Sequence, residues 1–201
     1  DSIGLGEAAP THQPVEPLAA PLAIPHLPVF RPADTVEAME CWRLALEKAD
    51  GPSALALSRQ KTPAVRTEAS SGNLSAKGAY ELRAASAKAK ATLFATGTEV
   101  ALALKAADML EAEGVPTRVV SVPSFELFNK QTKAYQTRII AKGTVRVAIE
   151  AGVRQGWERF IGEDGGFVGM SSFGASAPAE VLYEKFGITA KAVVAEVKAR
   201  L

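Results

Sequence analysis

The segment ATLFATGTEVALALKAADMLEAEGVPTRVVSVPS, residues 91–124, decides the fold class. It begins with an apolar run that is typical of a buried strand, and a run of the same kind closes it. Between them, residues 97–114 carry apolar side chains at the spacing of an amphipathic helix, with Thr98 suited to its N-cap and Gly114 to its C-terminal stop. A strand, a helix and a second strand in this order predict a parallel crossover, and hence an α/β fold.

The same alternation continues toward the C-terminus. Residues 138–143 close a polar helical segment, and residues 144–152 and 166–174 are predicted as two further strands. Residues 177–187 and 189–201 are predicted as closing helices, because each begins with small or polar residues. This half is therefore expected to fold as an α/β domain with a mainly parallel sheet and flanking helices.

The N-terminal part contains a smaller unit of the same kind. Seven prolines lie within the first 32 residues, which excludes a long helix there. Residues 26–34 are predicted as a short strand closed by a proline turn, and residues 52–60 as a buried strand that ends in a polar Ser-Arg-Gln tip. The helix between them is predicted over residues 35–51, with Thr35 or Asp34 as its N-cap.

A polar stretch joins the two units. Residues 61–77, KTPAVRTEASSGNLSAK, hold few apolar side chains and several small polar ones, which is typical of a linker. We expect the domain boundary near residues 61–75.

The composition argues against several classes of protein. The net charge is +1 and the cationic residues alternate with Glu, so the basic stripe of a nucleic-acid-binding protein is missing. The single cysteine, Cys41, cannot form an intramolecular disulfide, and its apolar helical surroundings predict a buried, inert thiol. Two histidines and one cysteine offer no ligand cluster for a metal ion. With no membrane-length apolar run and no visible signal peptide, a cytoplasmic location is expected.

Three features of the second half could bind a ligand, although each has a more ordinary explanation. Residues 95–100, ATGTEV, place a glycine turn before a helix N-terminus, as a phosphate cradle does, but a tight turn with a capped helix is the favoured explanation. The glycine-rich residues 162–176 could hold a ligand, yet turns that need positive φ would account for Gly165 and Gly166. Glu150 ends a predicted strand, where open α/β sheets bind ligands, but ion pairing is the commoner role.

Two residues of the first half have the chemistry of a substrate site. Arg59 follows a predicted strand at the edge where such sheets place ligands, and its guanidinium can hold a phosphate through two parallel hydrogen bonds. His12 lies in a proline-stiffened loop and can donate to an oxyanion or exchange a proton with a hydroxyl. A surface ion pair for Arg59 and an unremarkable loop histidine remain the alternatives. His26, next to a strand, is predicted to be structural.

Taken together, these stretches resemble transketolases. The shared motifs occur in the family's order from Ser2 nearly to Leu201, so the resemblance covers the whole chain. They are SIGLGE (2–7), PTHQP (10–14), FRPAD (30–34), ALALSRQ (54–60), ATGTEV (95–100), SVPSFELF (121–128), VAIEAG (147–152) and GMSSFGASAPAE (169–180).

The resemblance implies part of a larger molecule. A complete transketolase has a diphosphate-binding, a pyrimidine-binding and a C-terminal domain. The implied boundaries are residues 1–66 for the tail of the pyrimidine-binding domain, 67–76 for a linker and 77–201 for the C-terminal domain. The implied fold is a partial α/β unit followed by a complete α/β domain.

The resemblance also assigns roles to two residues. His12 matches the THQP histidine, a catalytic and substrate-binding residue near the donor's oxygen. Arg59 matches the SRQ arginine, which binds the phosphate of sugar-phosphate substrates. The family's metal-binding GDG motif and cofactor-activating glutamate have no counterpart in this sequence, so no metal ligand and no cofactor-binding residue is assigned.

The implied parent reaction moves a two-carbon ketol unit from a ketose phosphate to an aldose phosphate. It needs thiamine diphosphate and Mg²⁺ or Ca²⁺, and the complete enzyme is a homodimer. We expect the isolated chain to bind neither group and to be inactive without the missing N-terminal domains or a partner chain. The alternatives are a non-catalytic C-terminal subunit of a split enzyme and an interaction, regulatory or nucleotide-binding domain; no nucleic-acid or membrane partner is expected.

One position departs from the family's pattern. The family usually has GEDGPTHQP where this sequence has GEAAPTHQP, so that Ala8 and Ala9 replace Asp and Gly. In the family that aspartate accepts a hydrogen bond from the acceptor's C2 hydroxyl, which Ala8 cannot do. Losing such a partner typically removes on the order of 1–3 kcal/mol of discrimination, which predicts weaker selectivity for 2-hydroxyaldehydes or a different acceptor.

Overall fold

The computed structural model describes residue 3, residues 15–67 and residues 72–201, and the described strands form two sheets. The strands are β1 (Val29–Phe30), β2 (Ala54–Leu55), β3 (Tyr80–Arg83), β4 (Ala91–Ala95), β5 (Thr117–Ser121), β6 (Val145–Ile149) and β7 (Gly166–Val168). The helices are α1 (Ala19–Leu22), α2 (Thr35–Glu47), α3 (Val100–Ala112), α4 (Phe125–Asn129), α5 (Lys133–Ile140), α6 (Glu158–Ile161), α7 (Ala179–Lys185) and α8 (Ala190–Lys198). Within these described ranges no helix is long and apolar enough to cross a membrane.

The larger sheet is the mainly parallel sheet that the sequence predicts. Its strand order is β3-β5-β4-β6-β7, and β4, β5, β6 and β7 pair in parallel. Only β3 runs antiparallel, against β5, and the sequence analysis did not predict it. It is an edge strand in which Glu81 and Arg83 alternate with less polar neighbours, so it lacks the apolar run that marks the central strands.

Side chains that alternate along the central strands fill two separate cores. Leu93 of β4 joins the core under α3 and α8, whereas the next residue, Phe94, points into the core on the other face. That second core is aromatic: Phe128 stacks on Phe160 with ring centroids 4.8 Å apart, and Trp157 lies against both Phe160 and Phe125. The domain is therefore a three-layer α/β structure, with α4, α5 and α6 covering the aromatic face.

The smaller sheet pairs β1 with β2 in parallel, with α2 as the crossover helix. Of the two predicted caps it is Asp34 that caps α2, by accepting a hydrogen bond of 3.0 Å from the Glu37 amide. The prediction of a buried strand over residues 52–60 is wrong in extent, because β2 is only Ala54–Leu55 and is half-buried. The ladder stops there because the chain after β1 turns away: the amide of Arg31 donates to Pro123 O at 2.9 Å, in the larger unit.

The start of α3 also differs from its prediction. A 3-10 turn, Gly97–Glu99, precedes the helix, and Thr98 does not cap it; its hydroxyl donates to the Glu99 carboxylate at 2.5 Å. The predicted stop is confirmed, since Gly114 follows the last turn with φ of +77°, a conformation that glycine adopts without strain.

Candidate functional site

The carboxyl ends of the two sheets meet, and Arg31 lies where they meet. This residue follows β1 directly, and its backbone is held by residues that follow β4 and β5 of the larger sheet. Its carbonyl accepts hydrogen bonds from the Gly97 amide at 3.1 Å and the Thr96 hydroxyl at 3.3 Å, while its amide donates to Pro123 O. The FRPAD turn is thereby fixed at the edge where open α/β sheets usually bind their ligands.

We call this contact between the two sheets the first junction. The side chain of Arg31 lies among buried charges there. Only 6% of the residue is exposed, and its guanidinium forms an ion pair with Glu150 and lies 3.8 Å from Glu99. Each carboxylate has a further donor, since Trp157 Nε1 donates to Glu150 at 2.5 Å and the Tyr183 hydroxyl donates to Glu99 at 2.6 Å. Burial lowers the pKa of Arg31 to about 10, and the charge of Glu99 opposes that shift.

Two of the candidate ligand-binding features have a structural role at this junction. Glu150 has the ion-pair role that the sequence analysis gave as the ordinary alternative. In the ATGTEV turn, the Gly97 amide that could have bound a phosphate donates to Arg31 instead. Glu150 and the Gly97 amide are thus both engaged within the protein rather than open to a ligand.

A second junction ties α2 to the larger sheet and to the segment after residue 72. The buried Glu37 carboxylate accepts hydrogen bonds from the Tyr80 hydroxyl and the Ser121 hydroxyl, both at 2.6 Å, and from the Ala33 amide at 2.7 Å. Burial raises the pKa of Glu37, although these three donors oppose the shift.

The neighbouring carboxylates Asp34 and Glu40 extend this second junction. Asp34 accepts from the amides of Val65 and Arg66 at 3.0 Å each. Glu40 forms an ion pair with Arg66 at 2.7 Å and accepts from the Ser75 hydroxyl at 2.7 Å. Burial alone would raise the pKa of Glu40, but the hydrogen bonds from Arg66 and Ser75 outweigh it and the pKa is lowered.

Arg59 lies beyond the carboxyl end of β2 in the smaller sheet. It follows β2 at the carboxyl end, after a last ladder hydrogen bond from Ala56 N to Phe30 O at 2.9 Å, and it is exposed. The hydroxyl of Ser58 donates to Gln60 O at 2.8 Å, which holds the turn that presents Arg59. The structure therefore agrees with the predicted placement of this arginine at a strand end.

The residues after Arg59 form one wall of a cavity of about 420 Å³. Its lining includes the apolar residues Leu102, Met109 and Ile188 and the cationic residues Lys61 and Lys105. Glutamates from α7 also line it, so the positive charge of the lysines is largely balanced.

His12, Ala8 and Ala9 lie outside the described residues. The convergence of His12 and Arg59 on one substrate, and the effect of Ala8 on the acceptor, stay predictions.

The glycine-rich segment has a structural role, but the predicted reason is wrong. Gly165 and Gly166 do not have positive φ; Gly162 does, at +75°. A Cβ on Gly165 would collide with Ile161, and one on Gly166 would lie 2.7 Å from the Glu196 carboxylate. These glycines are required by close packing around β7 rather than by turn conformation.

The remaining predicted residues have structural positions. Cys41 is fully buried, and burial raises the pKa of its thiol to about 12, as expected of an inert cysteine. His26 is an exposed turn residue with φ of +62°. Among the described residues, no three His, Cys, Asp or Glu side chains are grouped so that they could hold a metal ion.

The two units of the chain match two successive domains of one family. The family model described as "Transketolase, pyrimidine binding domain" matches residues 1–65, and the one described as "Transketolase-like TK C-terminal domain" matches residues 78–189. The chain belongs to the transketolase family. It is 56% identical over 207 residues to the transketolase of Rhodobacter capsulatus, covering 100% of this chain and 31% of that protein.

Solved transketolase structures have the same fold. A transketolase from Leishmania mexicana superimposes with a TM-score of 0.89 at 43% identity, covering 99% of this chain and 29% of that one. A split-gene transketolase, in an inactive beta4 tetramer, superimposes with a TM-score of 0.79 at 29% identity, covering 95% of this chain and 63% of that one. The chain thus spans about 31% of the length of the Rhodobacter relative but about 63% of the split-gene chain.

Proposed function

We propose that this chain supplies the end of the pyrimidine-binding domain and the whole C-terminal domain of a transketolase, a thiamine-diphosphate-dependent transferase. The complete enzyme would transfer a two-carbon ketol unit from a ketose phosphate to an aldose phosphate. The observation that carries the proposal is Arg59, exposed at the carboxyl end of β2 in a chain that belongs to this family.

Arg59 would hold the phosphate of the sugar substrate. Arg59 lies on a short turn that the Ser58 hydroxyl closes, and the residue is exposed. A guanidinium can donate two parallel hydrogen bonds to a phosphate, and each hydrogen bond to a charged group contributes about 1.5–3 kcal/mol. Arg59 would therefore fix the phosphate end of the substrate and leave the other end to the reacting centre.

His12 would act at that other end. A histidine near the donor's oxygen can donate to a developing oxyanion or move a proton between hydroxyl groups, since its ordinary pKa lies near neutrality. The chain has Ala8 four residues before it, where the family usually has aspartate, so we propose weaker selectivity for 2-hydroxyaldehyde acceptors.

The cofactors would be held elsewhere in the complete enzyme. The described residues offer no cluster for Mg²⁺ or Ca²⁺, and thiamine diphosphate would supply the carbon–carbon bond chemistry from a site completed by other domains. We propose residues 1–66, 67–76 and 77–201 as the pyrimidine-domain tail, the linker and the C-terminal domain, in a cytoplasmic homodimer. The matches to residues 1–65 and 78–189 support this division.

A second arrangement is a C-terminal subunit of a split enzyme that acts only with a partner chain. The similarity to a split-gene transketolase, of which this chain covers 63%, favours it as the alternative. In both arrangements the isolated chain would be inactive. Ketol transfer by the purified chain alone would contradict that expectation.

The test is a chimera in which this chain replaces the matching 31% of the Rhodobacter capsulatus transketolase. We expect ketol transfer, measured by coupled spectrophotometry, and expect Arg59→Gln to raise KM for phosphorylated substrates about 10- to 100-fold. Activity toward an unphosphorylated acceptor should change little, because such an acceptor has no phosphate for Arg59 to bind.

The matched control is Arg43→Gln, which removes an exposed arginine from an ion pair on α2. An inactive but folded chimera would contradict the proposed function. Equal effects of Arg59→Gln on phosphorylated and unphosphorylated substrates would contradict the role of Arg59.

A further inference from the structure

A cavity of about 500 Å³ lies at the amino end of β6 in the larger sheet. Its lining includes Lys142 and Gly143 from the segment before β6, and Asp164 and Gly165 from the glycine-rich segment before β7. This is the edge of the sheet opposite to the one that Arg31 occupies. Small-molecule sites in proteins have volumes of about 300–1,000 Å³, so the cavity has the size of such a site. We call it the β6 cavity.

The charge of the β6 cavity favours an anion. Three cationic side chains line it, those of Lys142, Arg146 and Arg200. Among the described residues that line it, Asp164 is the one carboxylate. Glu196, which is not in the lining, forms an ion pair with Arg200 at 2.7 Å. Even when Glu196 is counted, the cations outnumber the carboxylates, so the cavity carries an excess of positive charge.

Arg146 has donors that the protein itself does not use. Within the described part of the chain, its guanidinium donates one hydrogen bond, from Nη1 to Phe160 O at 3.0 Å, and forms no ion pair. A guanidinium has five N–H groups, so most of its donors remain for a ligand. The backbone also restricts where it lies, since a Cβ on Gly162 would be 3.0 Å from Arg146 Nη2. A guanidinium held in this way is suited to donating two parallel hydrogen bonds to a phosphate.

Arg200 and two backbone amides add further donors. Arg200 Nε donates to Asp164 O at 3.0 Å, which ties this side chain to the glycine-rich segment. Gly166 leaves room for its guanidinium, because a Cβ there would lie 3.3 Å from Arg200 Cζ. The amides of Lys142 and Gly143 donate to no acceptor in the ranges that the structure describes. Backbone amides at successive positions are a common way of binding an anion.

We propose that the β6 cavity binds the phosphate group of a small phosphate ester. Arg146 holds two phosphate oxygens through parallel hydrogen bonds, and Lys142 and Arg200 balance the remaining charge. The cavity has room for more than a bare phosphate ion, and Val145 and Ile161 give it an apolar lining for the organic part of the ester. This site goes beyond the proposed function and does not depend on it.

The experiment is calorimetric titration of the chain with glycerol 3-phosphate, inorganic phosphate and glycerol. Every titration uses the Arg59→Gln background, so that the proposed substrate phosphate site does not contribute. We expect saturable binding of glycerol 3-phosphate with a Kd below about 1 mM. Inorganic phosphate should bind about threefold more weakly or less tightly still, because it buries no carbon, and glycerol should not bind.

Two variants test the residues of the site. Arg146→Gln should weaken binding of glycerol 3-phosphate about 10- to 100-fold, because charged hydrogen bonds to the phosphate are lost. Lys142→Gln should weaken it about 3- to 10-fold, and this exposed side chain has no hydrogen bond or ion pair within the described ranges whose loss could unfold the chain. The matched control is Arg43→Gln on α2, which should leave Kd within about twofold. Circular dichroism checks that each variant remains folded.

The amide resonances of Lys142 and Gly143 give an independent readout. In amide proton–nitrogen spectra they should shift as glycerol 3-phosphate is added, whereas the resonance of Gly51 in the smaller unit should not. These shifts identify the β6 cavity as the place of binding.

Several results would overturn the proposal. They are the absence of saturable ester binding up to about 10 mM, a Kd unchanged in both Arg146→Gln and Lys142→Gln, and amide shifts confined to other parts of the chain. An equal loss of binding in Arg43→Gln would indicate nonspecific attraction by charge and would also overturn it. Inorganic phosphate that binds as tightly as glycerol 3-phosphate would overturn the assignment to an ester and identify the free ion as the ligand.

Discussion

Replacing Arg31 with methionine tests whether buried charges join the two units. The substitution keeps most of the side chain's volume but leaves Glu150 and Glu99 without their shared cation in a region where Arg31 is 6% exposed. Breaking a buried ion pair by removing one partner costs about 3–5 kcal/mol, because the other charge stays buried and uncompensated. We expect Arg31→Met to lower the free energy of unfolding by that amount.

The assay is urea unfolding followed by tryptophan fluorescence. Trp157 reports directly, since its indole nitrogen donates to Glu150. The double variant Arg31→Met, Glu150→Gln should be less destabilised than the sum of the two single variants, with a coupling energy of about 1–3 kcal/mol. Arg43→Met, which breaks the exposed pair with Glu47, should cost at most about 1 kcal/mol. An Arg31→Met chain within about 1 kcal/mol of the original, or additive single variants, would refute the reasoning.

Three further predictions concern packing, pH and the acceptor. Gly165→Ala should lower the free energy of unfolding by about 1–3 kcal/mol, because the added Cβ would collide with Ile161. Gly143→Ala is the control, since no atom lies within 4 Å of the Cβ that it adds, and it should not destabilise the chain. Equal urea midpoints for the two variants would contradict this prediction. The lowered pKa of Glu40 means that its stabilisation is present above the unfolded pKa, near 4.3, and is lost as pH falls through the folded pKa. Glu40→Gln should therefore flatten the fall of the urea midpoint between about pH 5 and pH 2.5, and an unchanged slope would contradict the assignment. In the chimera, Ala8→Asp should raise the preference for 2-hydroxylated over deoxy acceptors about 5- to 100-fold in kcat/KM, and an unchanged ratio would show that Ala8 does not set it.

The elements with strong periodicity could be predicted from the sequence. Leu93 and Phe94 lie within a run of apolar residues, and the chain after them repeats every three to four residues, so β4 and α3 follow from the pattern alone. The shorter elements could not be predicted, because tertiary contacts determine where they end. β2 ends after Leu55 since Arg31 bonds across to Pro123, and nothing in the residues 52–60 encodes that.

The buried charges are the other failure of prediction. Arg31 and Glu37 are charged residues beside a proline turn and a helix start, where sequence patterns place solvent-exposed side chains. Glu37 and Glu40 are three residues apart and so share one face of α2, which is the one signal that both contact neighbouring elements. Their partners, Tyr80 and Ser75, lie more than thirty residues away in sequence.

These two junctions explain where a ligand can bind. In an open α/β domain the carboxyl edge of the sheet is the usual ligand site, and here the FRPAD turn fills that edge of the larger sheet. The Arg31 guanidinium lies between Glu99 and Glu150, so a residue of the smaller unit occupies this edge of the larger one. Arg59 is exposed beyond the carboxyl end of β2, which favours the proposed phosphate site in the smaller unit.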